Sequence, residues 1–305
     1  MNNWKKLGLI FKPDQSLDWM QSHAALPTPL YLKDDMYRIY FSSRDKNNYA
    51  HIGYFDFDIV KKSIIKKLNK PILSPGMLGS FDGQGVQATS INRIKNKLYL
   101  YYLGWQQGSP SPLFYTSIGL AISSDNGETF EKYATVPILD RSKYDPWMVS
   151  GGTVIQYNDK LLMYYLSGQY MEISDEKVVS SYDIKIAESE DGISWNRNGK
   201  TALSLQKNET NISRMSILGE RNKFVAWYPV KKRNQGYRFG YAESRDGYIW
   251  TRKDNLVGID VSSSGWDSAA LDKVAVVEHK NKRFMFYNGN NFGYDGIGLA
   301  EWENE

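Results

Sequence analysis

Three aspartates follow an aromatic residue at matched places along the chain: Phe81-Asp82, Tyr144-Asp145 and Trp266-Asp267. Five residues beyond each lies Gln87, Ser150 or Asp272. Acids delivered to one cleft from separate segments suit general acid–base work, in which one carboxyl group gives a proton and another takes it. Recurrence with an aromatic partner marks Asp82 and Asp267 as loop aspartates that cap nearby backbone. Asp145 is followed by Pro146-Trp147 and remains a catalytic candidate. Asp272 stands outside the repeated pair and is the other candidate. Desolvation could raise one carboxyl pKa while a neighbouring cation keeps the other ionised. Arg214 could supply that cation, or bind a carboxylate or phosphate through its planar fork. His23, one of three histidines, precedes Ala24-Ala-Leu-Pro-Thr-Pro29.

A repeated phrase must position these residues. It reads Ile52-Gly-Tyr-Phe55, Ile118-Gly-Leu-Ala121, Ile184-Lys-Ile-Ala187, Phe239-Gly-Tyr-Ala242 and Ile297-Gly-Leu-Ala300. The intervals are 118 − 52 = 66, 184 − 118 = 66, 239 − 184 = 55 and 297 − 239 = 58 residues. That period fits one propeller blade with a generous loop. An aromatic strand precedes each copy: Tyr37-Arg-Ile-Tyr-Phe41, Leu98-Tyr-Leu-Tyr-Tyr102, Leu161-Leu-Met-Tyr-Tyr165, Phe224-Val-Ala-Trp-Tyr228 and Arg283-Phe-Met-Phe-Tyr287. Such residues favour strands. A first strand lies upstream of each, at 26–32, 86–94, 150–157, 215–218 and 271–277. No segment carries a sustained helical stripe.

Three turns match: Ser124-Asp-Asn-Gly-Glu-Thr-Phe130, Ser189-Glu-Asp-Gly-Ile-Ser-Trp195 and Ser244-Arg-Asp-Gly-Tyr-Ile-Trp250. Asn-Gly and Asp-Gly predict two-residue type I′ turns, with the terminal ring packing across the hairpin. Residues 59–68 carry the last strand of the first blade. Little chain follows Ile297, so Leu7-Gly-Leu-Ile-Phe11 is expected to supply the outer strand of the last blade and close the ring. The expectation is an all-β, five-bladed β-propeller formed as one domain by residues 1–305. Inner strands line a propeller's channel, so the polar residues at their mouths share one funnel.

Composition narrows the rest. The 41% hydrophobic and 14% aromatic shares can supply a core, and there is no Cys for disulfides or thiolate metal sites. No apolar run is long enough to span a bilayer. Met1-Asn-Asn-Trp-Lys-Lys lacks the apolar region of a secretory signal, so a cytoplasmic location is expected. The net charge of +4 is modest, and Lys61, Lys62, Lys66 and Lys67 read as a solvated edge rather than a nucleic-acid site. No cofactor or zinc motif is present, and only a structural calcium held by Asp and Asn oxygens stays open. No oligomeric state follows from these features.

Five blades, the Pro71-Ile-Leu73 and Pro137-Ile-Leu139 linkers and the Ser-x-Asp-Gly-x-x-Trp turns together resemble the five-bladed propeller glycosidases. That group holds arabinanases, invertases, levansucrases and the related mannoside phosphorylases. The turns also resemble the Asp-box turns of sialidases. The resemblance implies a carbohydrate or sugar-phosphate ligand and glycosidic chemistry by funnel carboxylates, here Asp145 and Asp272. One departure stands out. A phosphorylase-like Gly-Val-Glu-Asp-Pro-Arg stretch aligns with Gly85-Val-Gln-Ala-Thr-Ser90, so Gln87 and Ala88 replace both acids.

Three functions remain open. One is an enzyme that cleaves or rearranges glycosidic bonds. The second is a transferase or phosphorylase acting on a phosphorylated or nucleotide-linked sugar, favoured by Arg44, Arg214 and Lys231. The third is a non-catalytic glycan-binding propeller, favoured by Gln87 and Ala88. Trp105, Trp147, Asn288, Tyr294 and Arg44 follow second strands or precede inner ones, so they belong to one rim. With His23, Gln87 and Arg214 they form the expected substrate-binding set.

Overall fold

The computed structural model describes residues 4–109, 113–174 and 177–303. After strand β1 (Trp4–Phe11), blade one runs through β2 (Ser22–Lys33), β3 (Met36–Arg44), β4 (Ala50–Asp58) and β5 (Ser63–Lys67). Blade two holds β6 (Gly85–Ile94), β7 (Lys97–Gln107), β8 (Phe114–Ser123) and β9 (Glu131–Lys132). Blade three holds β10 (Val149–Tyr157), β11 (Lys160–Ser174), β12 (Lys177–Ser189) and β13 (Asn196–Leu203). A short lead-in strand, β14 (Glu209–Ile212), precedes blade four. That blade consists of β15 (Ser216–Glu220), β16 (Lys223–Lys232), β17 (Arg238–Ser244) and β18 (Thr251–Arg252). Blade five contains β19 (Asp272–His279), β20 (Lys282–Asn288) and β21 (Ile297–Trp302).

The fold is a five-bladed β-propeller. Its inner strands β2, β6, β10, β15 and β19 touch in turn, and β19 touches β2. Each repeated phrase is the third strand of its blade, and residues 63–67 form the outer strand of blade one. Strand β1 pairs antiparallel with β21, from Trp4 opposite Trp302 to Phe11 opposite Ile297. The chain therefore closes its ring as the strand pattern predicts.

The aromatic strands are buried on both faces because each face meets a neighbouring blade. Tyr37, Ile39 and Phe41 pack with Phe284, Phe286 and Leu299 of blade five. Tyr40, between them in sequence, packs with Val86, Leu98 and Leu100 of blade two. This is the period-two alternation of a strand, with both sides dry. Three further clusters seal blades two to three, three to four and four to five.

The matched turns differ from expectation. Positive φ at both central residues occurs only at Asn126 and Gly127; in the other copies it falls on Gly192 and Gly247 alone. The aspartate instead accepts hydrogen bonds from backbone N–H groups ahead of it. Asp191 takes Ile193 and Ser194, and Asp246 takes Tyr248 and Ile249, all at 2.8 Å. An acceptor at this place satisfies a wider loop than a two-residue turn. The terminal rings also leave their own hairpins. Phe130, Trp195 and Trp250 meet Tyr40, Tyr101 and Tyr164 of the preceding blade edge-on. The same tyrosine hydroxyls donate to the carbonyls of Gly127, Gly192 and Gly247. The turns thus staple blades together.

Trp4 lies in the seam of closure, 4% exposed, with its ring edge-on to Trp227 and Trp302. Trp4→Ala is expected to lower stability by about 3–5 kcal/mol, read as a denaturant midpoint. Deleting residues 1–12 should lower that midpoint further, because it exposes the edge of β21; an unchanged midpoint would contradict closure by this strand.

Candidate functional site

Every inner strand but one is bulged near its start. The irregularities fall at Ser22–Ala25 and Ala25–Thr28 in β2, Ala88–Ser90 in β6, Ser150–Thr153 in β10 and Asp272–Ala275 in β19. A bulge re-aims side chains and stops regular pairing. His23, Leu26 and Lys273 take positive φ in these stretches, which costs a non-glycine residue energy. The strained strand starts surround one end of the central channel.

A cavity of about 310 Å³ opens there. Its polar wall includes Arg44, Gln87, Ser180 and Tyr182, and its apolar wall includes Trp105, Met148, Met171 and Phe292. Trp105 is held at the wall because residue 85 is glycine: a Cβ there would meet the indole nitrogen at 1.9 Å. His23 lies beside Arg44, with its Nδ1 2.9 Å from the Ser22 hydroxyl and its ring edge-on to Tyr294 at 5.4 Å. Burial, and then the charge of Arg44, lower its pKa to about 4, so the imidazole is neutral at pH 7.

Asp272 begins β19 and is 1% exposed. Its Oδ1 accepts the Lys273 N–H at 2.8 Å. Its Oδ2 has no hydrogen-bond partner, although the Lys273 ammonium stands 3.5 Å away. Close by, the hydroxyls of Tyr182 and Tyr237 meet at 2.5 Å. Burial first, and the charge of Asp272 in addition, push Tyr182 up to about 12 and Tyr237 well above its usual value. Both phenols stay protonated and can donate. The sequence reading missed this pair. The signal was positional: each tyrosine lies two residues before its third-strand phrase, as Thr116 of the cavity wall does in blade two.

Arg214 sits on the axis. Its guanidinium donates to Thr28 Oγ1 at 3.0 Å and to the carbonyls of Thr89 at 2.7 Å, Pro27 at 2.8 Å and Val274 at 3.1 Å. Blades one, two and five thereby converge on a cation from the start of blade four. Beyond it lies a second cavity of about 190 Å³, lined by all five inner strands. Burial lowers the Arg214 pKa to about 10, and Asp272 opposes that shift. It remains charged, but both of its terminal nitrogens serve the wall, and its buried Nε has no hydrogen-bond partner.

Other expected residues are likewise committed. Asp145 is fully enclosed in blade three. It accepts from the hydroxyls of Tyr165 at 3.1 Å, Ser167 at 2.8 Å and Ser142 at 2.9 Å, and from Arg197 at 2.9 Å. These partners turn it into the blade, away from the expected pairing with Asp272. Asp82 holds Tyr102 and Lys132, and Asp267 holds Tyr287 and Lys6, in the same manner. The tyrosine follows its aspartate by 20 residues each time, a spacing that assigns Asp145 to the set. Asn288 is buried and joins backbone groups at Ala24, Leu26 and Gly296. Trp147 is 45% exposed and lines a separate, outer cavity with Arg141 and Tyr115. Among the described residues, no group of three His, Asp or Glu side chains gathers to hold a metal. No helix among them is long and apolar enough to cross a membrane.

Over 304 residues the chain is 36% identical to the uncharacterized proteins MT1551 and Rv1502 of two Mycobacterium tuberculosis strains, with 99% of each chain covered. It belongs to their family. No family model matches it. Among solved structures, a glycoside hydrolase superposes with a TM-score of 0.78 at 18% identity, covering 98% of this chain and 92% of the other. A Bacteroides ovatus glycosyl hydrolase gives 0.73 at 15% identity, over 96% and 91%. A structure from the mannoside phosphorylase family that contains hydrolases of β-1,2 mannosidic linkages gives 0.70 at 14% identity, over 96% and 91%. The chain therefore has the fold of the five-bladed propeller glycosidases.

Next to Tyr182 on β12, Asp183 is 7% exposed and accepts from Gln169 at 2.8 Å. Burial raises its pKa to about 6, against the opposing pull of Lys185. The folded state thus favours the protonated acid. That contribution is complete below the unfolded value near 3.8 and is lost as pH rises through 6. Asp183→Asn is expected to raise the melting temperature at about pH 8 and leave it unchanged near pH 3, as followed by thermal melts at both values.

Proposed function

We propose that this protein is a carbohydrate-active enzyme that acts on a glycosidic bond in the axial cleft, with Asp272 handling the proton. The observation that carries the reading is the uncommitted Oδ2 of Asp272, buried beside two protonated phenols. A buried carboxylate oxygen that accepts no hydrogen bond is costly even with the Lys273 ammonium 3.5 Å away. A sugar hydroxyl or a protonated glycosidic oxygen would satisfy it. In this reading one hydroxyl of the Tyr182–Tyr237 pair donates to the other, and the second donates to a sugar oxygen. Trp105 and Phe292 cover the apolar face of the ring, while Gln87 and the neutral His23 read its hydroxyls. The propeller glycosidase fold supports the assignment by analogy only, because folds host many activities.

Two-carboxylate glycosidic chemistry places its acids roughly 5–10 Å apart. Asp272 lies off the lining, near the lining residue Tyr182, and among the described residues lining the cavity there is no Asp or Glu. That favours a second reading, a glycan-binding propeller in which Asp272 orients hydroxyls without turnover.

A panel of aryl and oligosaccharide glycosides, each with and without inorganic phosphate, distinguishes the two. Asp272→Asn keeps the shape and removes the charge. Turnover is expected to fall roughly 10²–10⁴-fold while ligand binding persists. Parent-like turnover in the folded variant would exclude Asp272 from the chemistry. Binding by the parent without any turnover would establish the second reading.

A further inference from the structure

Arg44 ends β3 and is the only charged residue among the described residues lining the cavity. Its guanidinium makes one hydrogen bond, to Asn48 Oδ1 at 2.9 Å, and no ion pair among the described residues. The adjacent Asp45 is turned into its own loop. Its Oδ1 accepts the N–H groups of Asn47 and Tyr49, and its Oδ2 faces His51. Other arginines of comparable burial are paired: Arg38 with Asp56 and Glu128, and Arg252 with Glu209 and Asp254. Arg214 has its backbone carbonyls. Arg44 has neither carboxylates nor carbonyls, and burial already works against its charge. A partly desolvated cation without a counter-charge is unfavourable unless something else brings one.

Beside Tyr237, which hydrogen-bonds the lining residue Tyr182, the ammonium groups of Lys231 and Lys273 stand 6.0 and 5.9 Å from the ring centre. The neutral imidazole of His23 adds no competing charge beside Arg44. Lys273 is balanced by Asp272 at 3.5 Å, so the uncompensated charge at the polar wall is that of Arg44, and such a charge attracts anions.

We infer that the cleft binds an oxyanion, a phosphate or a carboxylate, and that Arg44 is its anchor. This deepens the glycosidic reading and rests on it for the rest of the ligand: the substrate is an acidic or phosphorylated sugar, or a neutral glycoside used together with inorganic phosphate. Arg44 offers a planar fork of donors that matches either oxyanion in a bidentate manner, which lysine cannot reproduce.

The test is calorimetric titration of the folded full chain with inorganic phosphate, mannose 6-phosphate and glucuronate, beside mannose and glucose. Arg44→Gln, Arg44→Lys and Lys67→Met are titrated in parallel. Lys67 pairs with Asp14 on the outer strand of blade one and serves as the control. At least one oxyanion is expected to bind the parent. Arg44→Gln should weaken it roughly tenfold or more, Arg44→Lys should fall between, and Lys67→Met should bind as the parent does. Binding of free phosphate alone assigns the anion to a co-substrate, whereas binding of only mannose 6-phosphate or glucuronate assigns it to the sugar. Absence of oxyanion binding to the folded parent, or parent-like binding by folded Arg44→Gln, overturns the proposal. Oxyanion binding through Arg44 in a protein that turns over no glycoside keeps this subsite and removes the glycosidic reading. Turnover of glycosides without oxyanion binding does the reverse.

Discussion

A buried carboxylate that holds a tyrosine hydroxyl and a cation at once fixes blades two, three and five. The aspartate lies in the loop before the inner strand, the tyrosine comes from the second strand, and the cation comes from the outermost one. Lys132, Arg197 and Lys6 play that last part. Taking a carboxylate out of water costs several kcal/mol unless a counter-ion and further donors replace the solvent. Loop, middle and edge of each sheet must therefore arrive together. The loop so fixed leads straight to Gln87, Met148 or Asp272, and the placement of cleft residues depends on it. In blade five the cation belongs to β1, so the same interaction completes the ring. Blade one lacks the acid and carries Phe41 where the others have tyrosine. Trp19 fills the space instead, against Gly53, where a Cβ would come within 2.3 Å of the indole.

Regular packing and local strain are divided between two regions. The aromatic second strands are uniformly buried and pair in register with their neighbours. Bulges at the starts of four inner strands, with positive φ at His23, Leu26 and Lys273, lie around the cleft. Outward from the cleft, the loops are satisfied by aspartate acceptors, and tyrosine-to-glycine bonds fasten each turn to the blade before it. A rigid frame of this kind can support strained backbone at a site without losing its shape.

Much of the fold was legible because it repeats. Alternating aromatics, third-strand phrases and loop aspartates recur at intervals that chance does not produce, and β1 was identifiable as the missing edge strand. The site was less legible because its members do not repeat. Asp272 was singled out by its departure from the repeated pattern. The partners of Asp145 were not legible, because Tyr165 and Arg197, the latter 52 residues away, are linked to it by no local pattern. Arg214 reads from sequence as a cation free to meet a ligand; only the assembled ring brings three blades' backbone groups around it. Tyr182 and Tyr237 touch only through the curvature that sets blade three beside blade four. Asn288 faces inward because it ends a strand opposite Asp272, where the backbone of blade one needs partners.

The arginine on the axis has one further consequence. A propeller channel open at both ends could let a polymer thread through, with substrate entering one side and product leaving by the other. Here a guanidinium tied to three blades makes the cleft a dead end. Whatever binds must enter by the mouth and leave by the same route. A long polymer could present only a terminus or a short branch, and each departing molecule must clear the entrance before the next can occupy it.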